Sequence, residues 1–141
     1  MEKLRLALVF PVLIALSCGT NSSSNTPRQL LSVTVSPTTA NAANYPNGQV
    51  PFTATGNYNS APYTVTPLPG TWGVCYNNAS TTAITVTGEG VAQCAEGAVG
   101  TYTVWADAPP FPDGANCLAI TACGGGCFDA GTAQLTCPAT K

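Results

Sequence analysis

The chain has no histidine, and charged residues make up only 7% of its 141 residues, against about 25% in an average globular protein. Without histidine it cannot form Ser-His-Asp or Cys-His nucleophile systems, or a metal site that uses imidazole. Its four lysine and arginine residues are too few to neutralise nucleic-acid phosphates. We therefore expect no nucleic-acid partner.

Acidic side chains are also scarce, with six Asp and Glu in the chain. Glycosidases need two carboxylates that flank the scissile bond, and Asp107 and Asp113 are the nearest candidates. The Pro-rich segment between them is typical of a loop, which weakens this candidate pair. We expect a protein that is not an enzyme and that needs no cofactor and no metal.

The N-terminus has the pattern of an export signal. Lys3 and Arg5 precede the apolar run Leu6–Leu16. A membrane-spanning helix needs about 20 apolar residues, so this run is too short to span a bilayer and has the length of a signal-peptide core. The small residue Ser17 then precedes Cys18.

The string Ile14–Cys18 resembles the lipobox of bacterial lipoproteins, apart from Ala15, where that family usually has Leu. The resemblance implies that residues 1–17 are a lipoprotein signal peptide and that Cys18 is lipidated, which would make the membrane a partner. An ordinary cleaved signal peptide followed by an unrelated cysteine is the alternative. By the same family's sorting rule, Gly19 points to the outer membrane or cell surface. The polar segment 18–30 is predicted to be a flexible tether.

After residue 18 no segment shows helical periodicity, whereas apolar residues recur at every second position. Turn-forming residues separate these alternating runs, as in Pro67–Gly70 and Gly88–Gly90. The pattern predicts an all-β, antiparallel sandwich of about seven short strands. The alternating runs are residues 31–36, 49–54, 63–66, 72–76, 84–87 and 101–106.

The order of these runs resembles the bacterial Ig-like domain, group 2. The segments Leu31–Pro37, Phe52–Gly56 and Gly100–Ala106 carry the resemblance, together with Trp72 and Ile84–Val86. It implies an Ig-like β-sandwich over residues 31–107. It also implies a place among bacterial surface proteins and adhesins, often as a spacer, with no conserved catalytic residue.

The chain has seven cysteines, and setting Cys18 aside leaves six. An even count in an exported chain favours three disulfides, which could form in 15 ways. Our preferred pairs are Cys75–Cys94, Cys117–Cys137 and Cys123–Cys127. The alternation predicts that Cys75 faces away from the core. The alternative for the last four cysteines is a zinc site, which is less usual in an oxidising compartment.

Residues 108–141 are predicted to be a Cys-rich C-terminal extension packed on the sandwich. It would be a disulfide-rich hairpin with strands at Asn116–Ala122 and Thr132–Cys137. Trp105 alternates with Tyr102 and Val104, which places it outside the main core. It would either be covered by this hairpin or contribute to a recognition surface.

Two functions follow from these features. The first is a lipid-anchored, non-catalytic structural or interaction module of the cell envelope, with other envelope proteins or glycans as partners. The alternative is a surface adhesin or carbohydrate-binding module that uses exposed aromatic side chains. Trp105 and Tyr63 are the candidate binding residues, with Tyr45 and Tyr58 as further candidates.

Overall fold

The computed structural model describes residues 27–108, Cys123 and residues 130–139. These residues form strands and two short 3₁₀ turns, Ala42–Asn44 and Pro46–Gly48, without an α-helix. The predicted all-β class is confirmed. The strands are β1 (Leu30–Ser36), β2 (Thr39–Asn41), β3 (Gln49–Pro51), β4 (Thr53–Tyr58), β5 (Thr64–Val65), β6 (Thr71–Tyr76), β7 (Ala79–Ser80), β8 (Ile84–Val86), β9 (Val91–Cys94), β10 (Gly100–Asp107) and β11 (Gly131–Cys137).

Five strands form one sheet in the order β2-β11-β10-β6-β7, which we call the front sheet. All its pairs are antiparallel except β11 with β2, which is parallel. The longest pairing joins β10 to β11, from Gly100 opposite Cys137 to Ala106 opposite Gly131.

The remaining strands form two three-stranded sheets, β1-β4-β5 and β3-β9-β8, which we call the back layer. Only Phe52 separates β3 from β4, so one run of chain passes through both sheets. The Phe52 N–H donates to the carbonyl of Gly90 at 2.9 Å. Strand β1 packs on β10 and β11, and β8 packs on β6, so the two layers enclose the apolar core in a sandwich-like arrangement.

The core follows the predicted alternation along most strands. Val50 on β3, Phe52 at the break and Ala54 on β4 are all buried. On β10, Tyr102 and Val104 are buried. Period-two burial arises because successive side chains of a strand point to opposite faces.

Strand β1 departs from the prediction at its first residues. The alternation placed Leu31 on the core face with Val33 and Val35, but Leu30 is 0% exposed and Leu31 is 56% exposed. The register of β1 against β4 shifts between Leu30 and Ser32. A bulge of this kind adds one residue to a strand, which reverses the face of every side chain before it.

The last strand lies elsewhere than the sequence suggested. A strand at Thr132–Cys137 was predicted and β11 is present, but it lies between β2 and β10 inside the front sheet. Ala133 and Leu135 are buried in the shared core. Strand β11 is therefore an inner strand of the sandwich and not part of a hairpin packed onto it. The other predicted strand of that hairpin, Asn116–Ala122, lies outside the described residues.

The folded domain also begins earlier than expected. The tether was predicted to extend to residue 30, but Leu30 is buried in β1. The Arg28 guanidinium carbon lies 3.4 Å from the centroid of the Tyr58 ring. The Gln29 N–H donates to Asn59 Oδ1 at 2.8 Å. These contacts attach the segment just before β1 to the loop that follows β4.

Candidate functional site

One face of the front sheet points away from the core, and we call it the outer face. Val104 and Val74 are paired and buried, and their neighbours along each strand point to the outer face because successive side chains alternate. Apart from Asp107 at one end, its side chains are uncharged and mostly hydroxyls and amides. They are Thr39, Asn41, Thr71, Gly73, Cys75, Thr101, Thr103, Trp105, Thr132, Gln134 and Thr136.

Cross-strand hydrogen bonds order this face. Gln134 Nε2 donates to Thr103 Oγ1 at 3.2 Å, from β11 to β10. The Thr101 and Thr136 hydroxyls lie 3.3 Å apart across the same strand pair. Such pairs across strands typically stabilise a sheet by about 0.2–1 kcal/mol each, and here they fix the positions of neutral polar groups.

Trp105 lies on the outer face, as its parity predicted, and is half-buried. It is paired with Gly73 on β6. A Cβ atom added to Gly73 would overlap Cζ2 and Cε2 of the indole, so the ring rests directly on the glycine backbone. The absence of a side chain at residue 73 is what lets the indole lie against the sheet.

The other candidate binding residue, Tyr63, is 66% exposed. It lies just before β5 in the back layer, where its carbonyl accepts from the Tyr58 N–H at 2.8 Å. Trp105 and Tyr63 therefore belong to different layers and do not form one aromatic platform. Tyr58 is buried, and Arg28 covers its ring.

Two disulfides are present among the described residues, Cys75–Cys123 and Cys94–Cys137. Disulfide bonding is confirmed, but all three preferred pairs are wrong, because each contains a cysteine that is bonded to a different partner. Cys117 and Cys127 lie outside the described residues.

The layers explain the observed pairing. Cys75 faces outward on β6, as its alternation predicted, whereas Cys94 lies on β9 in the back layer. Their side chains are therefore on opposite sides of the front sheet. Cys137 faces inward on β11 with 1% exposure, and its bond to Cys94 joins the two layers with a Cα–Cα distance of 6.0 Å.

The alternative zinc site is contradicted as well. It required thiolates from the last four cysteines, and Cys123 and Cys137 are both in disulfides. Within residues 27–108, Cys123 and 130–139, no group of three or more His, Cys, Asp or Glu side chains could hold a metal ion.

The carboxylate pair and the export segment are largely beyond the described residues. Asp107 is buried, and its Oδ1 accepts from the Ala108 N–H at 2.8 Å, but Asp113 lies outside. Cys18 and the signal segment 1–17 also lie outside. The part of the chain that the structure describes contains no helix long and apolar enough to cross a membrane.

An open cleft of about 490 Å³ lies where β2 meets the outer face. Tyr45 was a candidate binding residue, but sequence reasoning missed the two asparagines beside it. The available signal was the pair of asparagines close before Tyr45, since an amide side chain offers both hydrogen-bond donors and an acceptor. The cleft is lined by Thr39, Ala40, Asn41, Asn44, Tyr45 and Thr136.

A second cleft, of about 330 Å³, lies at the back layer. Its lining is mainly apolar and includes Phe52, Leu68 and Trp72, with Glu89 at its edge. Phe52 and Leu68 belong to the core of the sandwich, so this cleft opens onto the core.

No protein-family model matches this chain, and no curated protein is significantly similar to it.

Proposed function

We propose that this protein is a lipid-anchored, non-catalytic structural or interaction module of the cell envelope, with an Ig-like domain. The strand order is the observation that carries the domain assignment. In Ig constant-type domains, strands A, B, E and D form one sheet and C, F and G form the other.

The described strands can be matched to that order, with β5 as an additional short strand beside β4 and with the back-layer strands divided between two three-stranded sheets. In the back layer, β1, β4 with β3, β9 and β8 correspond to A, B, E and D. In the front sheet, β6, β10 and β11 correspond to C, F and G, with β7 added beside C and β2 beside G. This correspondence needs β11, which explains why a domain ending at residue 107 would lack its last strand.

Two side chains give further support. The Tyr102 hydroxyl, near the start of β10, donates to the carbonyl of Val99 at 3.3 Å. Ig domains have a tyrosine at the start of strand F whose hydroxyl bonds to the backbone a few residues upstream. Trp72 on β6 packs against the core, as the tryptophan of strand C does in Ig domains.

The envelope location is supported by the lipobox-like string and by the two disulfides, since stable disulfides are typical of exported proteins. A non-catalytic role is supported by the lack of histidine and the small number of acids. A disulfide-bonded module whose front sheet is largely uncharged suits display or contact at the cell surface.

Cell fractionation of a Cys18→Ser variant tests the anchor. We expect the parent protein in the membrane fraction, with a diacylglycerol-modified N-terminal Cys18 peptide in mass spectrometry. The Cys18→Ser variant should move to the soluble or secreted fraction, whereas the tether control Ser23→Ala should stay in the membrane. Retention of Cys18→Ser in the membrane, together with an unmodified Cys18 peptide in the parent, would refute the proposal.

The second proposed function is carbohydrate binding at the surface. The separation of Trp105 from Tyr63 argues against a single platform built from both. The uncharged hydroxyls and amides of the outer face support carbohydrate binding better than these two aromatic side chains do, because a neutral polar surface suits a neutral hydroxyl-rich ligand.

A further inference from the structure

The cleft beside β2 combines an aromatic ring with neutral hydrogen-bonding groups. Its six lining residues are all uncharged. Its volume of about 490 Å³ falls within the range of small-molecule sites, about 300–1,000 Å³. An ionic ligand would find no counter-charge among these residues, whereas a neutral hydroxyl-rich ligand would find both donors and acceptors.

The sheet fixes one wall of this cleft. Parallel pairing of β2 with β11 places Asn41 directly opposite Thr136. Both side chains lie on the outer face, and the Thr136 hydroxyl is held 3.3 Å from that of Thr101. This wall therefore offers hydroxyl and amide groups at positions that a regular ladder determines.

The loop after β2 holds the remaining lining residues in place. Asn41 Oδ1 accepts from the Ala43 N–H at 2.9 Å and caps the first 3₁₀ turn. The Tyr45 N–H donates to the Ala42 carbonyl at 3.1 Å, and Ala42 is buried in the core. The Tyr45 ring packs partly against the same core, so its position does not depend on a ligand.

The turn that follows keeps the loop folded back on itself. Asn47 and Gly48 both have positive φ, of 56° and 68°, a conformation that Asn and Gly adopt more readily than other residues. It allows the Gly48 N–H to donate to the Tyr45 carbonyl at 3.0 Å. The cleft is thus preorganised, which lowers the entropic cost of binding.

We infer that this cleft, formed by Thr39, Asn41, Asn44, Tyr45 and Thr136, is a binding site for one neutral pyranose unit of a glycan. The apolar C–H face of the sugar ring packs on the electron-rich face of Tyr45. The sugar hydroxyls exchange hydrogen bonds with the Asn41 and Asn44 amides and with the threonine hydroxyls. The site rests on the second proposed function, carbohydrate binding, and does not depend on the lipid anchor.

Binding of the full chain, purified with its disulfides intact, to an array of neutral, sialylated and sulfated oligosaccharides tests the site. We expect binding to neutral hexose or N-acetylhexosamine oligomers, and the strongest neutral ligand is then titrated by calorimetry. Its affinity should stay within about twofold between 0.1 M and 1 M salt, although the screening length falls from about 10 Å to about 3 Å. Preferential binding of charged glycans, or strong salt dependence, would overturn the inference.

Matched substitutions locate the binding. Tyr45→Ala and Asn44→Ala should each weaken binding by about tenfold, which corresponds to 1.4 kcal/mol. Tyr63→Ala and Asn57→Ala, which change the same residue types in the back layer, should leave it within about twofold. Asn44 is exposed, so its variant should keep the parent's melting temperature even if Tyr45→Ala is less stable.

The outcomes separate this site from carbohydrate binding in general. If a neutral glycan binds but its affinity falls only with Trp105→Ala or Tyr63→Ala, the protein binds carbohydrate and the cleft assignment is wrong. If no neutral glycan on the array binds, both the cleft and the second proposed function fail.

Discussion

Because Trp105 packs directly on Gly73, we predict that Gly73→Ala lowers the stability of the protein. Strand propensity alone predicts the opposite effect. Gly in the interior of a strand costs roughly 0.5–1 kcal/mol relative to Ala, so Gly73→Ala should stabilise the protein if only the backbone mattered. The φ of Gly73 lies outside the left-handed region, so its backbone accepts alanine. The new methyl group would, however, overlap the Trp105 indole.

The expected net effect is destabilisation. Forcing an extra methyl group into a packed contact typically costs about 1–3 kcal/mol, because the neighbour must leave its preferred rotamer. Subtracting the propensity gain of about 0.5–1 kcal/mol from this cost leaves a loss of roughly 0–2.5 kcal/mol in the free energy of unfolding. The three atoms nearest to a Cβ added at Gly73 all belong to the Trp105 ring, so Gly73→Ala in a Trp105→Ala background should be neutral or stabilising.

Urea denaturation of the parent, both single variants and the double variant measures this coupling. We expect a coupling energy of about 1–3 kcal/mol, equal to the overpacking cost and within the range found for contacting residues. Iodide should also quench tryptophan fluorescence more strongly in Gly73→Ala than in the parent. Gly88→Ala is the control, since no atom lies within 4 Å of a Cβ added there. Additive effects, or a stabilised Gly73→Ala single variant, would refute the packing argument.

Two further predictions concern the joining of the layers and the last strand. Replacing Cys94 and Cys137 together by alanine should lower the free energy of unfolding by about 4 kcal/mol in the chain-entropy model, because this disulfide spans 43 residues of sequence. A loss below about 1 kcal/mol in urea denaturation would contradict the conclusion that this bond stabilises the joining of the two layers. Leu135→Ala should cost about 2–5 kcal/mol, since Leu135 is 0% exposed, whereas the exposed neighbour Thr132→Ala should change stability by less than about 0.5 kcal/mol. Similar small losses for both variants would mean that β11 is not part of the core.

The candidate site was only partly predictable. Tyr45 could be named from its residue type, and the turn after it from the Pro46–Gly48 sequence. The cleft itself needs Thr136, which lies far away in sequence and reaches Asn41 only through the parallel pairing of β2 with β11. Tyr58 was also a candidate binding residue by its type, but it is buried and Arg28 covers its ring. Residue type suggests which side chains can bind a ligand, but the fold decides which of them meet.

The residue order alone specified only local features. Period-two alternation identified the all-β class, the outward direction of Cys75 and the position of Trp105 off the core, because the face of a side chain follows from its place in its own strand. Tertiary packing determined every feature that depends on a second strand or a second cysteine of the chain. It made β11 an inner strand, and it paired Cys75 with Cys123, 48 positions away in sequence. The bulge at Leu30 shows the limit of the local signal, since one extra residue reverses the face that alternation assigns. Strand order and register come from packing two layers around one core, and alternation within a strand carries no information about its neighbours.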